Sequence, residues 1–145
     1  MKTLYAGLAG ALLIAPAAFA QDAGDPAAGE DDFRQCRSCH SIQTDEGDDI
    51  VKGGRTGPNL YGIVGRQAGT FEDFSYSDAM VAAGEQGLEW NVDDFTVYVQ
   101  DPTAFLRDYT GDDSARGKMT FKLRQAEKAA DLWAYLESVG PDAES

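Results

Sequence analysis

The sequence predicts an all-α domain, short helices strung on long loops, and three observations lead there. No segment alternates apolar and polar residues convincingly enough for a strand. Several candidate helices carry their own capping chemistry. Between them run Gly- and Asp-rich stretches too irregular for either element.

The amino terminus stands apart from that domain. Lys2 gives a positive start, Leu4 to Ala18 is an uncharged apolar run, and Ala18-Phe19-Ala20 is the small-x-small pattern that signal peptidases read. The run is too short for a comfortable membrane span and gives way at once to Gln21-Asp22. Residues 1–20 are expected to be a secretory signal cut after Ala20, which leaves 21–145 as one small exported domain.

Asp25-Pro26 then opens a helix, an N-cap followed by proline at the first helical position, running through Ala27, Ala28 and Phe33 toward the cysteines. Thr44 to Arg66, with "KGGRTGPNLYG" at its middle, reads as irregular loop. Ser75 to Ala83 suits a short helix closed by Gly84. Asn91-Val92-Asp93-Asp94 caps "FTVYVQ", and Asp101-Pro102 restarts a short turn of helix through Leu106. Tyr109 to Phe121 returns to loop. The clearest element is the last: Ala129, Leu132, Trp133, Leu136 and Val139 keep helical spacing until Gly140-Pro141 stops it.

Charge narrows the function. Twelve basic residues face 25 acidic ones, a formal charge of −13 that becomes −14 once Lys2 is removed. Such a surface repels nucleic acid and anionic lipid. Against that background Arg116, Lys118, Lys122, Arg124 and Lys128 form a basic stretch opposed only by Glu127.

So much loop leaves a modest core, and the chain's two cysteines are too close together to staple distant segments. Both cysteines and the only histidine fall within Cys36-Arg37-Ser38-Cys39-His40. A thiol–disulfide exchange site would put its nucleophile at a helix start, whereas these cysteines come toward a helix end. A structural zinc site wants a fourth ligand that only a carboxylate offers here. A disulfide across so short a loop has poor geometry. C-type haem attachment fits best: two thiols add across the haem's vinyl groups, and the adjacent imidazole is aimed at the iron. The haem would also supply the missing core. For the second axial position there are, past the initiator, Met119 in a polar loop and Met80 on a helical turn where core packing explains it. Loop placement favours Met119.

These motifs, in this order, carry a resemblance. "AAGEDDFRQCRSCHSI", "KGGRTGPNLYGIVGR", "DFSYSDAM", "LEWNVDDFTVYVQDPTAFL", "GKMTFKL" and "DLWAYLES" together resemble a class I c-type cytochrome of the cytochrome c2 type, found in purple and related alphaproteobacteria. The resemblance implies the cytochrome c fold: short helices and long loops wrapped around one covalent haem c, with the N- and C-terminal helices crossing at Gly29, Phe33, Leu132 and Tyr135. It implies attachment through Cys36 and Cys39, with His40 and Met119 as the iron ligands. Pro58 would accept a hydrogen bond from His40 Nδ1, and Arg66, Tyr76 and Trp90 would bond the haem propionates. Tyr98 would approach the methionine sulfur and Phe121 would sit beside the exposed haem edge, with Leu60 and Leu106 in the pocket wall or in the core. The implied role is a monomeric electron carrier, not an enzyme. It would shuttle from a cytochrome bc1 complex to a photosynthetic reaction centre or a terminal oxidase or reductase, without inserting in the membrane. A haem enzyme or gas sensor with a dissociating methionine is the alternative, and the chain offers no distal histidine to support its acid–base chemistry. The acidic stretches Thr44–Asp49 and Tyr109–Ala115 are longer than in short family members.

Overall fold

The structure, a computed structural model, describes residues 23–141. The expected signal segment therefore lies outside the described residues. Among those described, no helix is long and apolar enough to cross a membrane.

Among the described residues, five helices and one small hairpin make up the domain. Helix α1, Pro26–Asp32, begins as expected: the Asp25 side chain accepts from the Ala27 amide, and Pro26 occupies the first turn, where no amide is needed. A 3₁₀ turn, Phe33–Gln35, tightens its end and delivers the chain to Cys36. The next stretch is not all irregular. Strands β1, Ile42–Gln43, and β2, Asp49–Val51, pair antiparallel with a register shift. The Asn59 side chain pins β1 from outside the hairpin, donating to the Gln43 carbonyl at 2.7 Å and accepting from the Gln43 amide at 3.0 Å.

Helix α2, Asp78–Glu85, starts later than the sequence suggests because Ser77, not Ser75, provides the cap, accepting from the Met80 amide. Gly84 does not close it. That glycine lies inside the helix against the Ala68 carbonyl, where a Cβ would come within 2.0 Å of the oxygen. The chain turns away instead through Gln86 and Gly87, which holds a left-handed φ of 102°. Helix α3, Val92–Gln100, is capped by Asn91 accepting from both the Asp93 and Asp94 amides. Helix α4, Pro102–Thr110, runs a turn past Leu106 and absorbs Tyr109 and Thr110, which the sequence assigns to loop; Gly111 in the left-handed conformation ends it. Helix α5, Lys128–Ser138, follows its apolar spacing.

The crossing of α1 over α5 is the most extensive helix contact. Gly29 makes it possible, since a Cβ there would lie 1.9 Å from the Asp131 carbonyl oxygen and 2.8 Å from Tyr135 Cβ. Phe33 packs on Tyr135 with ring centroids 5.7 Å apart, and Leu132 is fully buried beneath. Lys128 and Asp32 close the crossing at 2.6 Å. The remaining helices fold round the other side, and between these two groups the interior is hollow.

Candidate haem site

The hollow is a cavity of about 350 Å³ with predominantly apolar walls. Cys36, Cys39 and His40 stand on one side, delivered by α1 and the 3₁₀ turn. The Cys39 and His40 amides bond back to the Cys36 carbonyl at 3.1 and 3.0 Å, so the five-residue motif is a folded turn rather than a flexible spacer. Pro58 follows on the adjoining loop. Its carbonyl lies 2.8 Å from His40 Nδ1, which fixes the tautomer that donates from Nδ1 and leaves Nε2 with its lone pair. Burial lowers the histidine's pKa while the Pro58 bond opposes it, and the balance keeps the imidazole neutral, as a ligand must be.

Gly57 was not singled out in the sequence, yet the ring depends on it. A Cβ at Gly57 would sit 2.4 Å from His40 Cε1 and 2.7 Å from Nδ1. The backbone thus cradles the imidazole edge at a distance only glycine allows. The signal was present in the "TGPN" stretch, where a glycine directly precedes the histidine's partner.

Tyr76, Trp90, Tyr98, Met119 and Phe121 line the same cavity, as does Leu60. Trp90 and Tyr98 come from either end of the α3 region and meet edge to face at 4.9 Å. Burial raises the pKa of Tyr98 and, less strongly, of Tyr76, so both phenols stay protonated and can donate. Phe121 remains 38% exposed, at the mouth. Met80 lines the cavity too and is 7% exposed, so both methionines weighed in the sequence reach the site.

Two residues singled out in the sequence do not line the cavity. Leu106 is fully buried but faces the packing around Gly117 rather than the cavity. Arg66 stands behind the wall, not on it: its guanidinium donates to the Tyr61 and Asn59 carbonyls at 3.2 and 3.0 Å and covers the Phe71 ring. No carboxylate of the described residues pairs with it. A half-buried cation next to Tyr76 is thus balanced by backbone carbonyls and not by a carboxylate of the described residues. Lys118, beside Met119, was also missed as a site residue. It reaches across the mouth to the Ser75 carbonyl and lies over Phe74.

The rival readings of the cysteines fare poorly. Burial, then Asp32 and Cys39, push the Cys36 thiol up to about 11, the opposite of an activated nucleophile. Among the described residues, no cluster of three or more His, Cys, Asp or Glu is placed to hold a metal ion.

Comparison with known proteins agrees with the cavity. No protein-family model matches the chain. Cytochrome c-551 of Roseobacter denitrificans is 55% identical over 138 residues, covering 95% of each chain. Cytochrome c2 of Cereibacter sphaeroides is 53% identical over 124 residues, 84% of this chain and 85% of its own. The crystal structure of cytochrome c2 from Rhodobacter sphaeroides superposes with a TM-score of 0.79 at 53% identity, covering 81% of this chain and 97% of that one. The chain belongs to the c-type cytochromes of the cytochrome c2, c-550 and c-551 group. It has the cytochrome c fold, it carries one covalent haem c at the Cys36–Cys39 pair, and its class of activity is electron transport.

Proposed function

We propose that this chain is a periplasmic one-electron carrier whose haem iron is held between His40 and Met119. The observation that carries the reading is the placing of an oriented histidine and a loop methionine in the walls of one apolar cavity, with the His40 Nδ1–Pro58 bond at 2.8 Å. Bound there, the haem supplies reversible one-electron chemistry at iron.

What the chain does is hold and tune. Cys36 and Cys39 tether the group by thioethers, which retain it in an exposed compartment. His40 is held in one tautomer and one orientation. The Met119 thioether favours ferrous iron, the known effect of a Met/His pair in cytochromes c. Leu60, Leu132 and Leu136 exclude water from the walls, which disfavours the ferric charge further. Tyr76 and Trp90 would donate to the propionates from the wall, Arg66 would offset their charge from behind it, and the Tyr98 hydroxyl would donate to the methionine sulfur. His40 and Met119 would hold the iron between them and leave no place on it for a substrate. Electrons pass at the mouth, beside Phe121, to and from membrane redox complexes: a bc1-type donor, and a photosynthetic reaction centre or an oxidase or reductase as acceptor. Secretion after cleavage at Ala20 puts the monomeric domain 21–145 where those complexes face the periplasm.

The assignment of the sixth ligand is tested by substitution. Met119→Ala should open the iron to carbon monoxide and lower the reduction potential. Met80→Ala should leave carbon monoxide excluded and cost only stability, about 2–5 kcal/mol for a buried methionine. Carbon monoxide binding by Met80→Ala and not by Met119→Ala would reverse the assignment.

A further inference from the structure

A second surface feature lies away from the haem mouth, in a groove between α3 and α4. Val97, Ala104 and Tyr109 form its apolar sides, and Phe105 is its floor. Val97 is 57% exposed, the most exposed large apolar side chain among the described residues. Nothing among the described residues covers the groove.

Phe105 has two faces. It stacks on Tyr109 at 5.6 Å on the groove side. On the inner side it meets Tyr98 edge to face at 5.7 Å and stacks with Trp90 at 6.3 Å. Trp90 and Tyr98 are walls of the haem cavity. Phe105 and, behind it, the Trp90–Tyr98 pair therefore separate this groove from the haem pocket, giving a short aromatic path that does not use the mouth beside Phe121.

The charge of the groove is opposite to that of the mouth. Asp101 and Asp108 flank it, and no basic side chain lines it. From Val92 to Asp113 the acids Asp93, Asp94, Asp101, Asp108, Asp112 and Asp113 face Arg107 alone. The Arg107 Nε is directed to the Ala115 carbonyl, and Asp101 is bound by Lys122 at 2.6 Å. Asp108 is exposed and has no ion-pair partner among the described residues. The mouth, in contrast, carries Lys118, with Arg116 and Arg124 close by in sequence.

We propose that the α3–α4 groove is a second docking surface, for a basic redox protein. That protein seats a lysine or arginine against Asp108 and the Tyr109 ring and exchanges one electron with the haem through Phe105 and the Trp90–Tyr98 pair. One electron leaves the donor and one is gained by the acceptor, with no bond made or broken and no proton moved. Carboxylates attract the cation from a distance and the half-buried Tyr109 ring holds it by cation–π contact. The basic mouth repels the same partner, so charge sorts two kinds of partner to two faces. The proposal rests on the electron-carrier reading.

Two measurements test it on the intact holoprotein. An oligolysine peptide should shift the backbone amide resonances of Val97, Ala104 and Tyr109. Shifts confined to the other acidic surface, the hairpin around Asp45, or no shifts at all, would overturn the proposal. Oxidation of the ferrous protein by tris(phenanthroline)cobalt(III), a cationic aromatic one-electron acceptor, should slow at least about threefold in Asp108→Lys and in Val97→Lys at low ionic strength. Salt should erase the difference, and oxidation by the ferricyanide anion should not slow. The same charge change at Asp45→Lys should have no comparable effect. Equal slowing by Asp45→Lys, or unchanged rates in the groove variants, would sink the docking surface while leaving the carrier intact. A native protein that transfers no electron to either oxidant would instead refute the carrier reading on which the surface depends.

Discussion

The site turns on small groups holding one ring. His40 is oriented by the Pro58 carbonyl, but it keeps that position only because Gly57 offers no Cβ to push it away. Gly57→Ala should therefore displace the imidazole, lower the stability of the holoprotein by at least about 2 kcal/mol and shift its potential. A variant with unchanged denaturation midpoint and unchanged potential would show that the ring is held by other means. Sequence exposed the haem-attaching cysteines themselves, because the C-x-x-C-H spacing is covalent chemistry read along the chain. It did not expose what stands behind them. Arg66 bonding to carbonyls behind the wall, Lys118 reaching back to Ser75 across the mouth, and Met80 sharing the cavity with Met119 are all products of tertiary folding between distant segments. Only distances in the folded chain reveal them.

At the scale of elements, the capped helices were legible and the weakly specified pieces were not. Asp25, Asn91 and Asp101 announce α1, α3 and α4 because each side chain satisfies amides that its helix would otherwise orphan. The hairpin β1–β2 stayed hidden since strands of two and three residues carry no alternation to read, and an Asn59 clamp from beyond the hairpin helps hold it. Gly84 misled because glycine signals both a helix stop and a close approach; here Ala68 decides for the latter. The α1–α5 crossing also sets a pH response. Burial, and next the Glu30 carboxylate, raise the Tyr135 phenol, and the bond to Asp32 raises Lys128. Both raised groups contribute stability that is full below their ordinary ranges and is lost as pH climbs through the folded values. The crossing should thus loosen in alkali. Denaturation midpoints measured against pH should show Tyr135→Phe keeping its stability to higher pH than the native protein, and coincident curves would exclude Tyr135 from the transition.

For the whole molecule, the net charge of −13 conceals a division of surfaces. The basic stretch beginning at Arg116 is smaller in effect than its sequence suggests. Lys122 is spent on Asp101 and Lys128 on Asp32, each at 2.6 Å, which leaves Arg116, Lys118 and Arg124 without a carboxylate partner among the described residues. Those three should dominate docking at the mouth. Replacing them together by glutamate should slow electron exchange with a membrane bc1-type complex about tenfold at low ionic strength and flatten or invert its salt dependence. An unchanged salt dependence would move docking elsewhere. The haem, finally, explains how a chain with so much loop holds together: seated against the apolar walls of the cavity, it is part of the core. The central claim, an iron closed on both sides by His40 and Met119, is tested most directly by absorption spectra of the purified ferric and ferrous protein with and without carbon monoxide. A low-spin haem that ignores carbon monoxide is the predicted result. A ferrous carbon monoxide complex would mean an open iron, and a colourless protein would mean no haem at all.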